Sequence, residues 1–259
     1  MQTLPAIVLF TAIGGVLSAA VAGLFLLLRD HLRAALMPHM VSFATGALLG
    51  AALLALVPHA VIGAGLFKVH SIGVALVVGL CLFFALEKFL LWRHCHTEAF
   101  ETHEAHEHHR LQATGVLVLV GDSLHNFLDG VLIAAAFLTD FHLGVVTALA
   151  IMAHEIPQEI GNFAVLLHAG MSRTRAFAWN MVTSATAIVG GVVAYFALRD
   201  ALALLPYALA IAASSMLYVA VADLMPGLHK RLDARGSIAQ IALIGVGIAV
   251  VAFAESQAH

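Results

Sequence analysis

Long apolar stretches recur along the chain, over roughly 4–28, 37–60, 69–92, 112–138, 141–169, 174–198, 203–227 and 236–255. Each is long enough to supply the roughly 20 residues that a helix needs to cross the hydrocarbon core of a bilayer. The pattern predicts an all-α bundle of eight membrane-spanning helices in a single domain. Two stretches depart from uniform apolarity. The fourth contains His125-Asn126-Phe127-Leu128-Asp129-Gly130, and the fifth His154-Glu155-Ile156-Pro157-Gln158-Glu159. An ionisable side chain at bilayer depth costs about 2.5–3.5 kcal/mol even on the lenient insertion scale, so several together need a compensating partner.

Composition agrees with the membrane reading. Of 259 residues, 62% are hydrophobic and 10% charged, against about 25% charged in an ordinary globular domain. Mean hydropathy is +0.99. The net charge of -3 comes with no basic stripe, which leaves no nucleic-acid surface. Two cysteines, Cys81 and Cys95, make no disulfide framework. Cys81, inside an apolar run, reads as core packing. The first stretch is kept as a spanning helix, because no Lys or Arg precedes it and its run from Pro5 to Leu28 outlasts the apolar region of a signal peptide.

Eight spans place Arg29, Arg33, Lys88, Arg93, Arg110, Arg173, Arg175, Lys230, Arg231 and Arg235 on one side, and Lys68 and Arg199 on the other. The positive side is expected to face the cytoplasm, with both termini outside it. The short loops favour a bacterial inner membrane as the host. One hydrophilic connector, 93–111, carries His94, His96, His103, His106, His108 and His109 among glutamates. Such tracts capture borderline metals loosely; the plain alternative is a solvated cytoplasmic connector. On either reading the connector is not a route through the membrane, because such a route must be lined by the bundle.

The chemistry lies in the two polar strings. Helical spacing puts Asp122, His125, Asn126 and Asp129 on one stripe of the fourth helix. It pairs His154 with Gln158 and Glu155 with Glu159 on the fifth. Pro157 should kink that helix and free carbonyls beside the cluster. No Lys or Arg occurs between positions 111 and 172, so the acids have no cationic partner in their own segments. Two readings compete: a helix pair locked by buried hydrogen bonds, or a bound divalent ion or protons supplying the missing charge. The density of imidazole and carboxylate favours the ion. Mixed nitrogen and oxygen donors suit Zn²⁺, and also Fe²⁺, Mn²⁺ or Cd²⁺. An intramembrane zinc protease would need a second His at position 158 to complete HExxH, and Gln158 stands there. A membrane zinc sensor without flux is the other alternative.

The two strings, in their order and spacing, resemble the ZIP family of divalent-metal transporters, as do the eight spans and the His-rich connector between the third and fourth. HNFLDG is similar to the family's HNFxDG or HNxPEG, and the run from His154 to Ala164 to its HExPHExGDFA. The resemblance implies a carrier with no catalytic activity that moves zinc into the cytoplasm by alternating access, as a homodimer. It places metal ligands at His125, Asn126, Asp129, His154, Glu155 and Gln158, with His125, Asp129 and His154 as the core. Gln158 replaces the family's His or Glu, Leu128 replaces a Pro, and Asn162 replaces an Asp. His59, in Pro58-His59, reads either as a receiver at the outer mouth or as an interfacial histidine. Asp122 and Glu159 are further candidates, Asp122 as a mouth acid or as the group that orients His125. Asn180, Thr183, Ser184, Asp223 and His229 are candidate path-lining positions.

Overall fold

A computed structural model describes residues 3–96, 107–229 and 234–257, and among these residues the chain is entirely helical. Eight rods follow in order. They are α1 (Thr3–Phe25), α2 (Asp30–Ala64), α3 (Val69–His96), α4 (Glu107–Thr139), α5 (Phe141–His168), α6 (Arg173–Leu198), α7 (Leu202–Leu228) and α8 (Ala234–Ser256). All but α5 are long and apolar enough to cross a membrane on composition alone. The shortfall in α5 has a cause: this helix holds His154, Glu155, Gln158 and Glu159.

Several rods outrun the predicted spans. Hydropathy marks where the bilayer ends, whereas Glu, Gln, Arg and Leu keep a helix going in water. Hence α3 continues to His96 and α4 begins at Glu107, both inside the predicted connector. His103 and His106 lie outside the described residues, as do the side chains of His94, His96, His108 and His109. The α4–α5 turn is a single residue, Asp140, whose Oδ1 accepts from the Leu143 amide at 2.9 Å and caps α5.

Two rods contain a π-helical turn, Ala51–Leu56 in α2 and Val219–Leu224 in α7. Each ends just before a proline, Pro58 or Pro226. Proline has no N–H to close the helical ladder, and a wider turn redistributes the freed carbonyls. Pro157 interrupts the ladder without ending α5, which runs through it.

The rods pack in two groups. In one, α1 lies along α5, and α4 contacts α5 and the second half of α6. In the other, α2 lies along α8, and α3 along α7. The groups meet chiefly where α2 passes α5. Small residues make the contacts close. A Cβ on Gly130 would stand 1.9 Å from the Ala187 carbonyl oxygen, and one on Gly190 1.9 Å from that of Phe127. Backbones therefore touch across α4 and α6, the device expected of small residues in membrane helices. Gly46 and Gly247 do the same for α2 and α8. Of the pair Gly14-Gly15, Gly15 abuts Ser184, whereas a Cβ on Gly14 would meet nothing within 4 Å. Cys81 is exposed on α3, not packed in the core, because α3 is a peripheral rod that meets mainly α7.

Candidate metal centre

The close α4–α6 contact fixes the rotation of α4, since Gly130 ends the HNFLDG string and must face α6. His125 and Asp129, one turn apart, then face α5. Opposite them, α5 presents His154 and Glu155. One donor atom from each of these residues lies within 4.8 Å of all the others. The Nε2 atoms of His125 and His154 are 3.2 Å apart. His125 Nε2 is 3.7 Å from Asp129 Oδ2 and 3.5 Å from Glu155 Oε1. His154 Nε2 is 3.5 Å from Asp129 Oδ2 and 3.7 Å from Glu155 Oε1.

Those separations suit tetrahedral coordination. With zinc bonds of about 2.0–2.2 Å to nitrogen and oxygen, ligand atoms of a regular tetrahedron stand about 3.3–3.6 Å apart. Asp129, His154 and Glu155 are buried, while the His125 side chain keeps 24% exposure. The centre is thus closed on three sides and reachable past His125.

The site also has polar atoms in need of a partner. Asp129 Oδ2, both Glu155 oxygens, Asp122 Oδ2, Glu159 Oε2 and Asn180 Oδ1 are buried without a hydrogen bond. So is His154 Nδ1, which faces the carbonyls of Ala150 and Ile151 without reaching bonding geometry. Elsewhere among the described residues only Thr147 Oγ1 and Glu255 Oε1 share that condition. Unpaired carboxylate oxygens in a low-dielectric interior are expensive, and a cation between them would offset the cost.

Beside this centre lies a second polar layer, in which one oxygen of each acid is hydrogen-bonded and the other is not. Asp122 Oδ1 accepts from Asn162 Nδ2 at 2.7 Å and from Asn126 Nδ2 at 3.3 Å. Asn126 also donates to the Asp122 carbonyl. Gln158, half-buried, lies beside Asp122. Glu159 is fully buried, and its Oε1 accepts from Ser184 Oγ at 2.6 Å. Asn180 donates to the Glu159 carbonyl at 3.2 Å. Of the three α6 residues expected along a path, the structure puts Asn180 and Ser184 against Glu159, and turns Thr183 onto the Asn180 carbonyl. Which residues of α6 meet α5 depends on how α4 packs against both helices, and the apolar pattern of α6 does not convey it.

The outlying candidates stand apart. His59 Nδ1 lies 2.9 Å from the Ala55 carbonyl of its own helix. His229 Nδ1 similarly lies 2.9 Å from the Met225 carbonyl. Asp223 is near Glu87, which accepts a hydrogen bond from the Tyr218 hydroxyl.

A model of the family described as ZIP zinc transporter matches residues 91–255, which take in the whole centre. The chain belongs to the ZIP zinc transporter family. This ZIP protein is 30% identical over 244 residues to zinc transporter ZIP13 of Pongo abelii, an alignment covering 87% of the chain and 69% of the relative. It is 40% identical over 119 residues to zinc transporter ZIP4 of Homo sapiens, covering 46% of the chain and 18% of the relative. With zinc transporter ZIP10 of Homo sapiens the identity is 34% over 140 residues, 52% of the chain and 17% of the relative. The chain therefore spans about two thirds of ZIP13 but less than a fifth of ZIP4 or ZIP10. ZIP proteins are transporters and not enzymes, so the protease alternative is set aside.

Proposed function

We propose that this chain carries zinc across the membrane into the cytoplasm, with His125, Asp129, His154 and Glu155 as the ligands of the transported ion. The observation that carries the reading is the near-tetrahedral set of four donor atoms, 3.2 to 3.7 Å apart along the measured edges. Its members belong to α4 and α5 alone, hence to one of the two packing groups. Alternating access then amounts to movement of the α1, α4, α5 and α6 group against α2, α3, α7 and α8, with the ion carried by the first. The largely exposed α3 and α8 leave the second group free to form the homodimer.

The hydrogen bonds that Asp122 Oδ1 and Glu159 Oε1 already accept, from Asn162 and Ser184, support one firmly held ion rather than two. Gln158 is neutral and cannot bridge two cations. Donor softness favours zinc, with Fe²⁺, Mn²⁺ and Cd²⁺ as competitors. The excess of Lys and Arg on one side supports a cytoplasmic connector between α3 and α4 and termini on the opposite side, and the short loops support a bacterial inner membrane.

The test is ⁶⁵Zn uptake by proteoliposomes holding the full chain, with Fe²⁺, Mn²⁺ and Cd²⁺ as competitors. Uptake should be saturable, and His154→Ala should reduce it by more than about a hundredfold, beyond the 10–100-fold lost when only an outer partner of a ligand is removed. Undiminished uptake by that variant, correctly inserted, would defeat the ligand assignment. High-affinity binding with no uptake by the unaltered protein would make it a sensor.

A further inference from the structure

A cavity of about 570 Å³ opens between the ends of α1, α5 and α6. Its walls are apolar: Ala20, Gly23 and Leu27 from α1 and its end, Phe163 and Leu167 from α5, and Phe177 from α6. Its polar lining comes from Arg33, in the first turns of α2, and from Arg173 and Thr174, which begin α6. Greasy walls and cationic groups are thus segregated, with the cations gathered where the helices end. Leu24 and Leu27 at its edge are exposed, so the cavity opens onto the apolar outer surface of the bundle.

Charge decides what could enter. A path for a divalent cation would not be lined by two arginines with no acid facing into it. Asp30 is the acid nearby, and it already receives a hydrogen bond from Arg33 Nη2 while its own side chain points into solvent, 92% exposed. That bond uses one nitrogen of a guanidinium with five N–H donors, leaving the others for an anion. Arg173 has no carboxylate partner among the described residues. It also stands at the amino end of a helix, where backbone N–H groups favour negative charge.

The geometry points to an anionic phospholipid seated here, its phosphate held by Arg33 and Arg173 and an acyl chain laid between α1, α5 and α6. Basic pockets between membrane helices on the cytoplasmic side suit such headgroups, and these arginines belong to the Lys- and Arg-rich side of the chain. The occupant would brace the metal centre's supports. Phe163 lies one turn beyond Glu159, and Phe177 one turn before Asn180, the two residues that join α5 to α6.

The experiment is native mass spectrometry of the full-length protein in detergent, offered phosphatidylglycerol and phosphatidylcholine of identical chains. Each arginine near a headgroup contributes a factor of about five. Arg33→Gln with Arg173→Gln should therefore weaken phosphatidylglycerol retention about twenty-five-fold and leave phosphatidylcholine unchanged. Arg33→Lys with Arg173→Lys, which preserves charge and folding context, should retain most of the preference. Ala20→Phe, which fills the cavity and leaves the arginines, should expel the lipid, and excess inorganic phosphate should not displace it. Equal retention of the two lipids by the unaltered protein overturns the inference, as does full retention of phosphatidylglycerol by the glutamine variant or by Ala20→Phe. Lipid retention is read without zinc, so its failure is separate from a failure of transport.

Discussion

At His125 and His154 the chemistry turns on lone pairs. Each imidazole can give its Nε2 to an ion only when that nitrogen carries no proton, and Asp129 and Glu155 must likewise be ionised. With the proposed ligands, protons and zinc compete for the same four groups. Affinity should fall as pH falls from about 7.5 to about 6, and binding should release protons. Calorimetry in two buffers of different ionisation enthalpy measures each effect, and affinity independent of pH with no proton release would mean that none of the four groups holds a proton in the empty centre. Glu159 makes a different case. It is buried, its Oε1 is held by Ser184, and it takes no place in the four-residue centre. Ser184→Ala removes that donor, which should cost about 1–3 kcal/mol of stability while zinc affinity stays within about tenfold. A loss of zinc affinity as deep as that of His154→Ala would place Glu159 among the ligands.

The helices deliver these residues through backbone contact. Gly130 and Gly190 allow α4 and α6 to touch, and a Cβ on either would meet a carbonyl oxygen at 1.9 Å. Gly130→Ala must therefore push the helices apart. Overpacking of this kind costs about 1–3 kcal/mol or more, and it also turns the His125–Asp129 face away from α5. Thermal unfolding in detergent and zinc uptake should fall together in this variant, whereas Gly14→Ala, with open space around it, should change neither. That contrast shows what a sequence can convey. The α4 stripe is legible because i, i+4 spacing sets His125 beside Asp129 regardless of packing. Which residues of α5 stand opposite that stripe is not, because helix rotation is set by a contact with a third helix. For the same reason Gly14 and Gly15 are alike in the sequence and different in the fold, and the apolar run around Cys81 does not reveal that this residue faces outward.

Across the whole molecule, eight rods are legible because the bilayer imposes a length that hydropathy can measure. Even α5, whose polar string weakens its hydropathy, is held at 28 residues between Asp140 and the turn before α6. The grouping of α1 with α5 and of α2 with α8 is illegible, since every span has an apolar surface that any neighbour could cover. Orientation rests on another physical term, the cost of moving Lys and Arg across the membrane, and it permits a direct test. In a chain lacking Cys81 and Cys95, Gln257→Cys just past α8 should react with a membrane-impermeant maleimide on intact cells. His229→Cys, exposed at the end of α7, should react only after permeabilisation. The reverse pattern would invert the proposed orientation and with it the proposed direction of zinc movement. Equal labelling of the two positions on intact cells would mean that α8 does not cross the bilayer, which would break the alternation that separates ten basic residues from two.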